Sequence, residues 1–149
     1  MALIDLIEES VVRAPLTSTG KEAVIRELVD VLVAAGKITD AQTVLKAVQD
    51  REAKGSTGLA DGVAVPHGKT VAARELTIAI GVSPEGIEFG SMDGQPARLF
   101  FLILAPPDQT GPHIEALAEI ARISRSKAFC SSLVACRDAA ELVRMFKDD

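Results

Sequence analysis

The apolar positions of this chain change period twice. Over residues 24–35 they recur at helical spacing, with Val24, Leu28, Val31, Leu32 and Ala35 on one stripe. The preceding Thr19-Gly-Lys-Glu22 reads as a capping box, and Gly36 is a natural stop. Thr39-Asp-Ala-Gln42 repeats the start signal. Val44, Leu45 and Val48 then form a second stripe that runs to Lys54 and stops at Gly55. From there the pattern becomes that of strands. Residues 63–65, 76–82 and 99–105 are apolar runs bounded by Gly or Pro, and the long run at 99–104 suits a strand covered on both faces. Residues 87–89 suggest a further short strand, and Asp93-Gly94 a turn. Helical spacing returns over 112–125, followed by two shorter helical segments from about 126 to 134 and from 138 to 146. Helices, then strands, then helices predict a single α/β domain, residues 1–149, with helices packed on a mixed sheet.

Composition narrows the function. With 149 residues and 48% apolar content the chain builds a real core, which argues against disorder. A net charge of −5 with no Trp or Tyr provides neither an electrostatic nor a stacking surface for nucleic acid, so a basic protein is the better-matched partner. No apolar run approaches the roughly 20 residues needed for direct membrane insertion. The first residues carry acids and no basic segment, so a signal peptide is not expected and a cytoplasmic location is. Cys130 and Cys136 fit no zinc or redox spacing and are expected to be buried free thiols.

Candidate chemistry starts at DGVAVPHGKT, residues 61–70. It looks like a phosphate-binding P-loop, but Gly62 and Gly68 enclose five residues where that motif needs four. The Val63-Ala-Val65 run is itself strand-like, and Pro66 cannot donate to a ladder. His67 is therefore expected just beyond a rigid strand, presented outward. Arg51 follows Val44 by seven residues and Val48 by three, which places it on their buried face. It either snorkels there or aims a planar fork at an oxyanion. In Gly55-Ser-Thr-Gly58, Ser56 and Thr57 offer hydroxyls and amides to an anion, or simply form a loop. His113 opens the helix that Leu117 and Ile120 continue inward. A helix N-terminus lowers an imidazole pKa and keeps the ring neutral. The spacing of the two histidines with Asp61 or Asp93 matches no metal motif, so metal-dependent hydrolysis is the weaker reading.

Taken together, DREAKGSTGLADGVAVPHGKT (50–70) and GPHIEALAEIARISRS (111–126) resemble the IIA domains of the bacterial phosphoenolpyruvate-dependent sugar phosphotransferase system. The likeness is to the fructose/mannitol class and its nitrogen-regulatory relatives, and EGIEFGSMDGQPARLFFLILAP (85–106) is similar to that family's central strands. The resemblance implies a mixed sheet of about five strands flanked by helices. It implies that His67 is the phosphorylated nucleophile, through Nε2, with His113 as second active-site histidine and Arg51 beside them. Ser56, Thr57 and Gly68 then fall in the phosphate-binding loop, and the role of Asp61 stays open. It implies a phosphotransferase that needs no cofactor and no metal. Its partners would be HPr or an HPr-like phosphocarrier as donor and a IIB component as acceptor. Alternatively, its phosphorylation state would select regulated target proteins. An apolar patch ringed by acids is expected around the histidine.

Overall fold

The computed structural model describes residues 2–147. Its central strand is the long apolar run. β5 (Ala97–Ala105) is buried along almost its whole length, as a strand covered on both faces must be. On one side it pairs antiparallel with β4 (Thr77–Ile87), from Thr77 opposite Leu104 to Val82 opposite Leu99. On the other it pairs in parallel with β2 (Val63–Ala64) and β3 (His67–Lys69). β1 (Val12–Arg13) joins the outer edge of β4 in parallel. The sheet is thus mixed and five-stranded, in the order β1-β4-β5-β2 with β3 continuing along β5.

Two strand expectations change. Of the strand suggested at 87–89 only Ile87 is paired, as the last residue of β4 after a register shift that follows Val82, and residues 88 and 89 lie outside the sheet. Pairing also resumes at His67 instead of ending before it. Pro66 has no N–H to donate, yet its carbonyl accepts the Ile103 N–H at 3.0 Å. β2 and β3 therefore keep one register along β5, Val63 opposite Leu99 and His67 opposite Ile103. β1 is only two residues long, too short for any alternation to be visible in the sequence.

Among the described residues five α-helices flank the sheet: α1 (Lys21–Ala34), α2 (Ala41–Ala53), α3 (Thr110–Ser124), α4 (Lys127–Val134) and α5 (Ala139–Lys147). Both expected caps fall one residue late. Gly20, not Thr19, precedes α1 and makes no side-chain cap. Asp40, not Thr39, caps α2 by accepting the Thr43 N–H at 3.1 Å. The approach to α1 is held by a buried carboxylate instead: Glu27 accepts the N–H groups of Thr17 and Ser18. Burial pushes the Glu27 pKa up, but these donors outweigh it and hold the group below the usual carboxylate range. Cys130 and Cys136 are free and buried. Among the described residues no helix is long and apolar enough to cross a membrane.

Candidate functional site

α2, β3 and α3 wall a cleft of about 530 Å³. They can meet so closely because residue 68 is glycine. A Cβ there would stand 3.2 Å from the Ala47 carbonyl carbon and 3.3 Å from the Val48 nitrogen, tight enough that the α2 backbone would have to give by a few tenths of an ångström. From β3 the cleft receives His67, Gly68 and Lys69; residues two apart on a strand share a face. From α2 it receives Ala47, Asp50, Arg51 and Lys54, the i, i+3, i+4, i+7 stripe. That stripe lies beside the Val44, Leu45 and Val48 face. Arg51 is therefore half-buried at the rim rather than sunk in the core, and its Nη1 donates to the Gly55 carbonyl at 2.8 Å. From α3 come Thr110, His113, Ile114 and Leu117.

The two imidazoles, 46 positions apart in the chain, meet here. Their centroids are 5.5 Å apart and their planes 75° from parallel, an edge-to-face pair. His67 Nδ1 lies 2.7 Å from the Val65 carbonyl oxygen. A carbonyl only accepts, so Nδ1 carries a proton, and in the neutral form of the ring the lone pair is on Nε2. His113 is 4% exposed, and its Nε2 is buried with no hydrogen-bond partner among the described residues. Its pKa lies below the usual imidazole range, chiefly through burial, then through the charges of His67 and Lys69. The direction is the expected one, but burial, not the helix terminus, is the leading cause.

Ser56 and Thr57 do not line this cleft. The Ser56 hydroxyl donates to the Phe89 carbonyl at 2.7 Å. Thr57 donates both its N–H, at 2.8 Å, and its hydroxyl to the Glu52 carboxylate. The other Glu52 partner is Lys21, 2.9 Å away, whose ammonium also donates to Phe89 O and sits 4.6 Å above the Phe89 ring centroid. These hydroxyls are therefore spent on the fold. The loop reaches the cleft instead through Gly55, which anchors Arg51. Asp61 adopts a positive φ of 62°, pairs with Lys127 at 3.6 Å and lines a separate cleft at α4. Among the described residues no three His, Cys, Asp or Glu side chains gather where they could hold a metal ion.

The charge around the cleft differs from expectation. Asp50 is the one acid in the lining, and it is paired with Lys46 at 2.7 Å. Arg51, Lys54 and Lys69 have no carboxylate within 4.0 Å among the described residues. Three open cations in a chain of net charge −5 make an anion site, not an acid-ringed patch. Apolar surface is present: Ile114 is 60% exposed on the cleft and Val71, four residues after His67, is 81% exposed. The sequence reading passed over Lys54, Lys69 and Thr110. Lys69 was visible only as the tail of a failed P-loop, although its spacing of two from His67 was the signal for a shared face.

The family model for the phosphoenolpyruvate-dependent sugar phosphotransferase system, EIIA 2, matches residues 5–149. A PTS system fructose-specific EIIABC component from Bacillus subtilis is 38% identical over 83% of this chain, which spans 19% of that protein's length. A nitrogen regulatory protein from Bradyrhizobium diazoefficiens is 34% identical, covering 93% of this chain and 90% of the relative. Among solved structures, nitrogen regulatory protein IIA-Ntr from Neisseria meningitidis superposes with a TM-score of 0.88 at 28% identity, covering 97% of this chain and 99% of the other. A match over nearly the full length, on a mixed sheet whose edge brings two histidines together, places this chain in the EIIA type 2 family of the phosphoenolpyruvate-dependent sugar phosphotransferase system.

Proposed function

We propose that this chain is a phosphoryl carrier, with His67 accepting the group from an HPr-like phosphohistidine and passing it to a IIB component. The observation that carries the reading is the Nδ1 contact with the Val65 carbonyl. In the neutral ring that contact puts the lone pair on Nε2, the nucleophile, on a cleft lined by open cations. A neutral imidazole needs no base to activate it near pH 7. The Nε2 lone pair forms the new N–P bond while the donor's N–P bond breaks, its electron pair staying on the donor imidazole. No proton has to move, because Nδ1 keeps its own.

The transition state spreads negative charge over the equatorial phosphoryl oxygens, so positioning and charge stabilisation do most of the catalysis. Arg51 supplies a planar fork for two of those oxygens. His113 supplies a donor from a buried Nε2 that has no competing partner among the described residues. Because the donor is a phosphohistidine and not a nucleotide, the scheme needs no metal. Incubation with phosphoenolpyruvate, the first enzyme of the relay and HPr should add the mass of one phosphoryl group to the intact protein. An unchanged mass, or a product that survives His67→Ala, contradicts the assignment.

A second reading has support among the relatives too: the Bradyrhizobium nitrogen regulatory protein is matched over 90% of its length. In that reading the same phosphorylation at His67 selects protein targets. Transfer of the labelled group onto a IIB protein separates the two, since a pure regulator does not discharge there.

A further inference from the structure

We propose that Lys69 is a second phosphoryl-contacting cation, holding the transferred group from the β3–α3 wall while Arg51 holds it from the α2 wall. The proposal rests on the phosphoryl-carrier reading above and adds a residue to it. Lys69 stands two positions after His67 on β3, so its side chain leaves the same face of the strand and enters the same cleft. Its Nζ is parked on the Thr110 hydroxyl at 3.2 Å, and that hydroxyl in turn donates to the Pro107 carbonyl at 3.3 Å. Thr110 and His113 are one turn apart on α3, so this tether keeps the ammonium beside the second imidazole. The charge of Lys69 is among those that hold the His113 pKa down.

Arg51 is parked in the same way, on the Gly55 carbonyl. Both cations thus rest on neutral oxygens. An anionic phosphoryl oxygen adds charge–charge attraction that a neutral carbonyl or hydroxyl cannot offer these cations, so an entering phosphoryl displaces both tethers. The phosphoryl carries about −1.5 to −2 charge near neutral pH, and one guanidinium leaves it under-neutralised. His113, kept neutral by burial, contributes a donor and no charge. Lys69 supplies the second positive charge on a flexible stem long enough to follow the group. Lys54 is also open, but it stands on the exposed α2 C-cap rather than on the strand that carries His67.

The experiment uses two probes that do not depend on a protein donor. Inorganic phosphate is titrated against the full chain while the His67 and His113 ring signals are followed by NMR. Phosphoramidate is then used to phosphorylate His67, and the phosphorus signal is titrated with pH. Lys69→Met should weaken phosphate binding about tenfold and raise the phosphoryl titration midpoint by about half a unit to one unit. Lys69→Arg should keep both near wild type, and Lys54→Met should move them less. A Lys69→Met protein that binds phosphate and titrates like wild type overturns the proposal, as does a larger response in Lys54→Met. If phosphate binding depends on Lys69 while HPr cannot load the wild-type protein, the carrier reading falls and the Lys69 site stands.

Discussion

Arg51 and Glu52 are neighbours in the chain and end in opposite surroundings. Behind α2 the Glu52 carboxylate is sealed, its side chain 7% exposed, with Lys21 and both Thr57 donors closing on it. In front of α2, Arg51 faces an open cleft beside Lys54 and Lys69, none with a carboxylate partner among the described residues. The contrast separates charge used for folding from charge left for a ligand. A buried carboxylate is tolerable only when its oxygens are satisfied, whereas a cation in reach of water can stay unpaired until an anion arrives. The sealed side also serves the open one: Glu52 pins Thr57, and the same loop presents the Gly55 carbonyl that holds Arg51.

The sharpest break of this contrast is His67→Ala, which should abolish phosphoryl uptake by intact mass. Its unfolding midpoint should stay near wild type, because the ring is only half-buried. Next in size, Glu52→Ala should lower stability by roughly 3 kcal/mol in urea denaturation, chiefly the cost of leaving the two buried Thr57 donors unsatisfied. An unchanged midpoint would mean that the sealed network is not structural. Arg51→Lys keeps the charge and loses the fork, and should slow transfer about tenfold, less than deleting a transition-state donor outright. Normal rapid-quench rates in that variant would reduce Arg51 to a tether for Gly55.

Stability should fall with acid in two windows. The His113 pKa is depressed in the folded protein, so the unfolded chain takes up its proton first. That contribution is complete above about pH 6.5, the unfolded value, and is lost as pH drops through the folded value. Glu27 is also depressed, so its contribution is complete above about pH 4.3 and disappears below that. His113→Gln should erase the upper window and Glu27→Gln should shrink the lower one, which Glu8, Asp40 and Asp93 share; a wild-type pH–stability curve in either variant contradicts the assignment. The smallest effect is expected from EDTA, which should leave transfer unchanged, and a loss of rate would reopen metal chemistry.

Much of the architecture was legible because periodicity reports burial. The run at 99–105 announced a doubly covered strand, and the stripes on α1 and α2 announced their inward faces. Caps were misplaced by one residue because Thr19 and Thr39 carry cap chemistry as good as that of Gly20 and Asp40, and only packing chooses. His67, His113 and Arg51 stood out through their unusual placement on apolar elements, and the fold gathers them at one cleft. Where the Ser56 and Thr57 hydroxyls bond was not legible, since a small polar loop offers the same hydroxyls whether they face a ligand, a carbonyl or a carboxylate.

By itself the sequence determined the periods of the elements, the α/β class and the residue types available for anion chemistry. These are local properties, written in spacing and composition. The tertiary structure alone decided that β2 and β3 keep one register across Pro66, that residue 68 must be small for α2 to seat, and that two distant imidazoles stand edge to face. It also decided which charges were sealed and which were left open. Pairing is a property of distance in space, and the distance between Lys21 and Glu52, or between Lys69 and Thr110, is written nowhere along the chain.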